Sequence, residues 1–80
     1  MTNYLETLQA LTTDKIVTIE EYYCVTLHSG VQLQGTFNSD LIKTFKDRTD
    51  LEKLDFSIED SGYIKIYFKY NGYNVDITLT

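Results

Sequence analysis

Three turn signals and two stretches of helical spacing predict an α+β domain. Asn71-Gly72 joins two alternating strands between Tyr63 and Thr80, the strongest short-range hairpin signal a sequence offers. Two further turns, His28-Ser29-Gly30 and Asp60-Ser61-Gly62, are each flanked by alternating apolar residues. The expected plan is helix–hairpin–helix–three-stranded meander, an antiparallel sheet with its helices on one face. Residues 1–80 read as a single domain, without a linker, low-complexity run or long repeat.

Asn3 is positioned to N-cap a first helix running to about Thr12. Tyr4, Leu5, Leu8 and Leu11 recur at helical spacing, and Glu6 lies near the positive end of the dipole. Asp14-Lys15 reads as a turn. From Ile16 to Leu27 the period becomes two: Val17, Ile19, Tyr23, Val25 and Leu27 share one parity, which Glu21 interrupts. One long strand bulged near Glu20-Glu21, or two strands with a kink, both satisfy this pattern.

A two-residue Ser29-Gly30 loop would pair Leu27 with Gln32 and mix the two faces. A three-residue His28-Ser29-Gly30 loop instead pairs Leu27 with Val31 and Val25 with Leu33, with Gly30 at the left-handed position of a type I turn plus bulge. Asp60-Ser61-Gly62 repeats the device, setting Ile58 opposite Ile64 and Phe56 opposite Ile66. Between these hairpins, Asn38 or Ser39 caps a helix whose stripe is Leu41, Ile42 and Phe45. Leu51 falls off that stripe, so a bend or restart is expected near Thr49-Asp50, with Lys43, Lys46, Asp47 and Arg48 facing solvent.

The terminal hairpin sets Tyr70 opposite Tyr73, Phe68 opposite Val75, Ile66 opposite Ile77 and Ile64 opposite Leu79. Its apolar residues then share one face, while Lys65, Tyr67 and Lys69 join Asn74, Asp76 and Thr78 on the other. A slip of one residue would put half of the apolar set in water, so the register is firmly specified.

Composition supports a folded core: 42% of residues are hydrophobic and 14% aromatic, from seven Tyr and four Phe without Trp. Seven basic and twelve acidic residues give a net charge of −5. Residues 1–30 carry a net −3, 38–53 are neutral and 54–80 carry −2, so the acidity lies on the first helix and the strands. That sign repels phosphate backbones and attracts basic surfaces, so no direct nucleic-acid contact is expected. Cys24 is the only cysteine, which excludes an intramolecular disulfide and suits a reducing compartment. No basic-then-apolar leader and no run long enough to span a bilayer is present, so a soluble intracellular protein without a membrane partner is expected.

The residues that carry reactive chemistry do not assemble. Cys24 and His28 share a parity but are four residues apart, roughly 13 Å at strand rise, too far for one metal ion or one proton. Glu20-Glu21 and Glu59-Asp60 are neighbours whose side chains diverge on a strand, and they serve as edge charges against sheet-to-sheet pairing. No catalytic, metal or cofactor site is therefore expected. The outer face of the terminal sheet holds more. Asp55, Ser57 and Glu59 should lie beside Tyr63, Lys65 and Tyr67, and these beside Asp76, Thr78 and Thr80. With Tyr22 added, the phenols and acids exceed what strand propensity requires, and tyrosine is favoured where proteins dock.

Leu27 to Gly35, with Gly30 and Gly35 bracketing Val31-Gln32-Leu33-Gln34 behind a short helix, resembles the first motif of Sm and Hfq-like RNA-binding proteins. That likeness implies an RNA-binding oligomeric ring. It covers under half of the chain and departs from the family at several points. Ser29 stands where Asn or Asp is usual, the Phe-Asp pair after the second Gly is missing, and no second base-contacting motif follows.

The whole-chain profile resembles the small acidic inhibitors of bacteriophages and mobile elements, including anti-CRISPR proteins and DNA mimics. The likeness lies in size, acidity, Tyr/Asn/Ile/Lys-rich composition and compact α+β plan. It implies a non-enzymatic inhibitor in the cytoplasm of a bacterial host, occupying the basic DNA- or guide-binding surface of a host nuclease such as a CRISPR effector. No residue role transfers with it. From the chain itself, the expected partner-binding residues are Glu20, Glu21, Asp55, Glu59, Asp60 and Asp76 for charge, with Tyr63 and Tyr67 as anchors. The protein is expected as a monomer or homodimer, and an assembly module that uses a strand edge as its seam is the structural alternative.

Overall fold

The computed structural model describes residues 4–80. Two helices, α1 (Tyr4–Thr13) and α2 (Ser39–Lys46), accompany five strands: β1 (Tyr22–Leu27), β2 (Val31–Gly35), β3 (Glu52–Ile58), β4 (Ile64–Tyr70) and β5 (Tyr73–Leu79). The α+β class and the order of elements match the sequence reading. The sheet corrects it. All five strands form one mixed sheet in the order β1-β2-β5-β4-β3, with β5 parallel to β2 and the other pairs antiparallel.

Burial explains that order. β2 and β5 have the most strictly apolar inner faces, Val31 and Leu33 on one and Val75, Ile77 and Leu79 on the other, all at most 1% exposed. Strands of that kind belong in the centre, where helices cover them. One inner row makes the gradient plain: Val25, Leu33, Ile77, Ile66 and Phe56 are 38%, 1%, 0%, 0% and 37% exposed from edge to edge. The helices shield the three middle strands and leave the inner faces of β1 and β3 partly wet.

Both x-Ser-Gly hairpins and the Asn-Gly hairpin have the registers expected of them. Asn71 and Gly72 have φ of 54° and 82°, as a two-residue type I′ turn requires. Gly30 serves a different purpose from the expected left-handed one. Its φ is 153°, and a Cβ there would lie 2.6 Å from the Asn74 carbonyl oxygen, so glycine lets the first hairpin close against β5.

In α1, Leu11 and Thr7 are buried and Tyr4 and Leu8 are half-buried, whereas Leu5 is 52% exposed. The stripe thus runs through 4, 7, 8 and 11, and Leu5 lies one step around the helix from it. The expected Asn3 cap lies outside the described residues. The helix closes through Lys15 at φ 59°, with Ile16 N–H donating to Leu11 C=O at 2.9 Å and Lys15 N–H to Thr12 C=O at 3.1 Å. These are the two bonds of a Schellman motif.

The expected strand from Ile16 does not form. Ile16 and Val17 are both buried, which alternation forbids, and a 3₁₀ turn follows at Ile19–Glu21. β1 begins at Tyr22, with its bulge between Tyr22 and Cys24 rather than at Glu20-Glu21. Asn38 caps α2 by accepting from Asp40 N–H at 2.8 Å. The helix ends at Lys46 and does not restart. Arg48 grips Asp50 at 2.7 Å to close the turn, which delivers Leu51 to the core just ahead of β3. Phe45 packs on Phe68, with ring centroids 5.8 Å apart.

Candidate functional site: the open face of the sheet

Every buried strand residue lies on the helix side, and among the described residues no element covers the opposite face. Cross-strand pairing builds two rows there. One runs Thr26, Gln32, Asp76, Tyr67 and Asp55, and the other Cys24, Gln34, Thr78, Lys65 and Ser57. Asp55, Tyr67 and Asp76 are therefore direct neighbours, as expected. Glu59 and Tyr63 extend the same face at its lower end, where Glu59 N–H donates to Tyr63 C=O at 2.8 Å. Asp60 lies beyond them in the turn.

Glu20 and Glu21 do not join this group. They sit in the 3₁₀ turn ahead of β1, at the opposite edge from Asp55 and Glu59, four strand spacings or roughly 19 Å away. Tyr22, expected among the exposed phenols, is in the core at 8% exposure, its ring against Gly35. The bulge is the reason. It turns Tyr22 inward and leaves Tyr23, which alternation would have buried, 63% exposed, with its hydroxyl 3.4 Å from Thr80 Oγ1. Burial, with Glu21 nearby, pushes the Tyr22 phenol up to about 12. Its oxygen has no hydrogen-bond partner among the described residues.

The upper half of the face is concave. A groove of about 460 Å³ is lined by Lys53, Asp55, Tyr67, Lys69 and Asp76, with the Ser29-Gly30 turn at its far end. Asp76 has one carboxylate oxygen, Oδ1, that is buried and without a hydrogen-bond partner among the described residues. Burial raises the Asp76 carboxyl above its ordinary value; Lys65 opposes the shift and Glu59 adds to it. Lys65 is in turn held charged above its usual range, chiefly by Asp76, and its Nζ lies 5.9 Å from the Tyr67 ring centroid. Lys65 thus acts on Asp76 through space without giving Oδ1 a hydrogen bond.

No family model, curated protein or solved structure matches this chain. The site must be read from its own chemistry. Among the described residues, no three His, Cys, Asp or Glu side chains converge to hold a metal ion, and no helix is long and apolar enough to cross a membrane. Cys24 is exposed on the outer face beside Thr26, its Sγ 4.0 Å from Thr26 Oγ1. The hairpin that resembles Sm proteins leads from β2 into α2, not into a long strand.

Sequence reasoning missed Gln32, Lys53 and Lys69 as groove residues. Gln32 arrives through the parallel β2–β5 pairing, which no local signal encodes. Lys53 is presented by a bulge between Glu52 and Asp55, at φ 57°. The lysines also change the character of the surface. Asp55, Glu59 and Asp76 are interleaved with Lys53, Lys65 and Lys69, so the face is charge-patterned and not uniformly acidic.

Proposed function

We propose that this chain is a non-enzymatic inhibitor that binds a protein through the open sheet face, seating it on the basic, nucleic-acid-binding surface of a host nuclease. The unpartnered Oδ1 of Asp76, buried in a groove beside Asp55 and Tyr67, carries this reading. A desolvated carboxylate oxygen without a donor costs free energy that an incoming cation recovers. An arginine from the partner can enter the groove, give Asp76 the missing bond, lie against the Tyr67 ring and meet Asp55 on the far side. Tyr63 adds aromatic area at the lower end of the face, and the net charge of −5 steers the encounter. Because lysines divide the face, discrimination comes from where the carboxylates are aimed and not from a uniform negative field.

The test is capture from host lysate, then titration of the captured protein in the presence of its nucleic acid. The wild type should recover a nucleic-acid-binding protein and compete with that nucleic acid. Reversal of Asp55, Glu59 and Asp76 to Lys should abolish capture while the far-UV spectrum stays that of the folded chain. Undiminished affinity in the folded triple variant refutes the assignment.

A further inference from the structure

The two edges of the sheet are unlike. β3 carries Glu52, Lys53 and Asp55, and a bulge with Lys53 at positive φ bends its first half. Charges and bulges of this kind block strand addition. β1 is guarded only at its start, where Glu20 and Glu21 precede it and its bulge falls between Tyr22 and Cys24; Cys24–Leu27 has neither charge nor bulge. Tyr22–Leu27 is a six-residue run of β-branched, aromatic and small apolar residues without a charge, glycine or proline, and past Tyr22 every side chain is exposed. Its regular ladder to β2 spans Cys24–Leu27, beyond the bulge. Along an antiparallel edge, alternate residues turn their N–H and C=O groups away from the one neighbour they have.

We propose that the β1 edge pairs with β1 of a second copy, antiparallel about a two-fold axis at Thr26, to join two five-stranded sheets into one of ten. That register keeps the faces in phase. Val25 lies opposite Leu27 on the helix side, twice by symmetry, and these are the two residues of β1 that are left 38% exposed on that face. Cys24 falls opposite His28 on the outer face, and Thr26 opposite Thr26. A second copy suits this edge better than a cationic partner does, because the seam carries no charge to attract one. Two chains of net −5 can meet here only where neither presents a carboxylate. The guarded β3 edge prevents β1-to-β3 addition, so the assembly closes as a dimer and does not extend as a fibre. The groove lies toward the β3 side of each copy and stays open.

The seam is short, roughly 13 Å of strand from Cys24 to His28, which places the dimer at the weak end of specific interfaces. Sedimentation equilibrium over a concentration series should show reversible dimerisation in the micromolar range, tightening as salt screens the like charges of the two chains. Thr26→Lys should shift the sample to monomer at every concentration, while Glu52→Lys on the opposite edge leaves it dimeric. Cys24→Ser/Thr26→Cys should cross-link to a covalent dimer under mild oxidation, since residues opposed across an antiparallel pair lie within disulfide reach. A wild type that stays monomeric at millimolar concentration overturns the proposal, as does a folded Thr26→Lys variant that dimerises as the wild type does. The proposal stands independently of the target, since every measurement uses this chain alone.

Discussion

Tyr67 lies directly opposite Asp76 in the β4–β5 ladder, and the same ring has Asp55 as its partner on β3. A phenol flanked by two carboxylates, one with a buried unpartnered oxygen, is an arrangement that costs stability in the free protein. Under the proposed function, that cost is recovered when the partner's cation binds.

Asp76→Asn should therefore be more stable than the wild type at pH 7 while losing affinity for the target. The raised carboxyl means that the folded chain binds the Asp76 proton more tightly than the unfolded chain, whose value is about 3.9. The contribution of the protonated group is full below about pH 4 and is lost as pH rises through the folded-state value. The gap between variant and wild type should then be open at neutral pH and close on acidification below about pH 4. Thermal unfolding of both proteins from pH 3 to 7 checks this, and a gap that widens on acidification contradicts it.

Tyr22→Phe should stabilise the fold by about 1 kcal/mol, because it removes a buried hydroxyl that has no partner. With the phenol raised to about 12 by burial, the unfolded chain ionises first, near pH 10. The wild type should accordingly lose stability between pH 10 and 12, and Tyr22→Phe should lose less. Alkaline difference spectra should show one tyrosine titrating well after the others, and the variant should lack it.

Gly30→Ala should destabilise the protein by about 2 kcal/mol, as its Cβ would be driven to 2.6 Å from the Asn74 carbonyl oxygen. That contact lies between the first hairpin and β5, so amide exchange should accelerate along the β2–β5 seam more than within the terminal hairpin. Acceleration confined to the turn itself would point to a local effect instead.

Lys15→Gly should stabilise by roughly 0.5–1 kcal/mol. Lys15 holds φ 59° at the end of α1, a conformation in which a Cβ is penalised and glycine is not. Urea midpoints measured with an unchanged slope would register the gain.

Local geometry was legible wherever alternation and turn chemistry acted together. All three hairpin registers, a helix cap at Asn38 or Ser39, which the structure gives to Asn38, and the Asp55–Tyr67–Asp76 row followed from residues near one another in sequence. The reading failed at Tyr22 and Tyr23 because one bulged residue reverses parity, and it leaves no compositional trace among Tyr, Tyr and Cys.

What the chain determined by itself is therefore its set of hairpins and their two faces, since pairing across a tight turn is settled by a handful of neighbouring φ angles and a period of two. Tertiary structure alone decided that β5 lies parallel to β2. That choice carried Gln32 and the Ser29-Gly30 turn to the groove and left Glu20 and Glu21 at the far edge. The physical reason is that strand order is set by which apolar faces the two helices can cover at once. That is a property of the assembled core, and no single segment contains it.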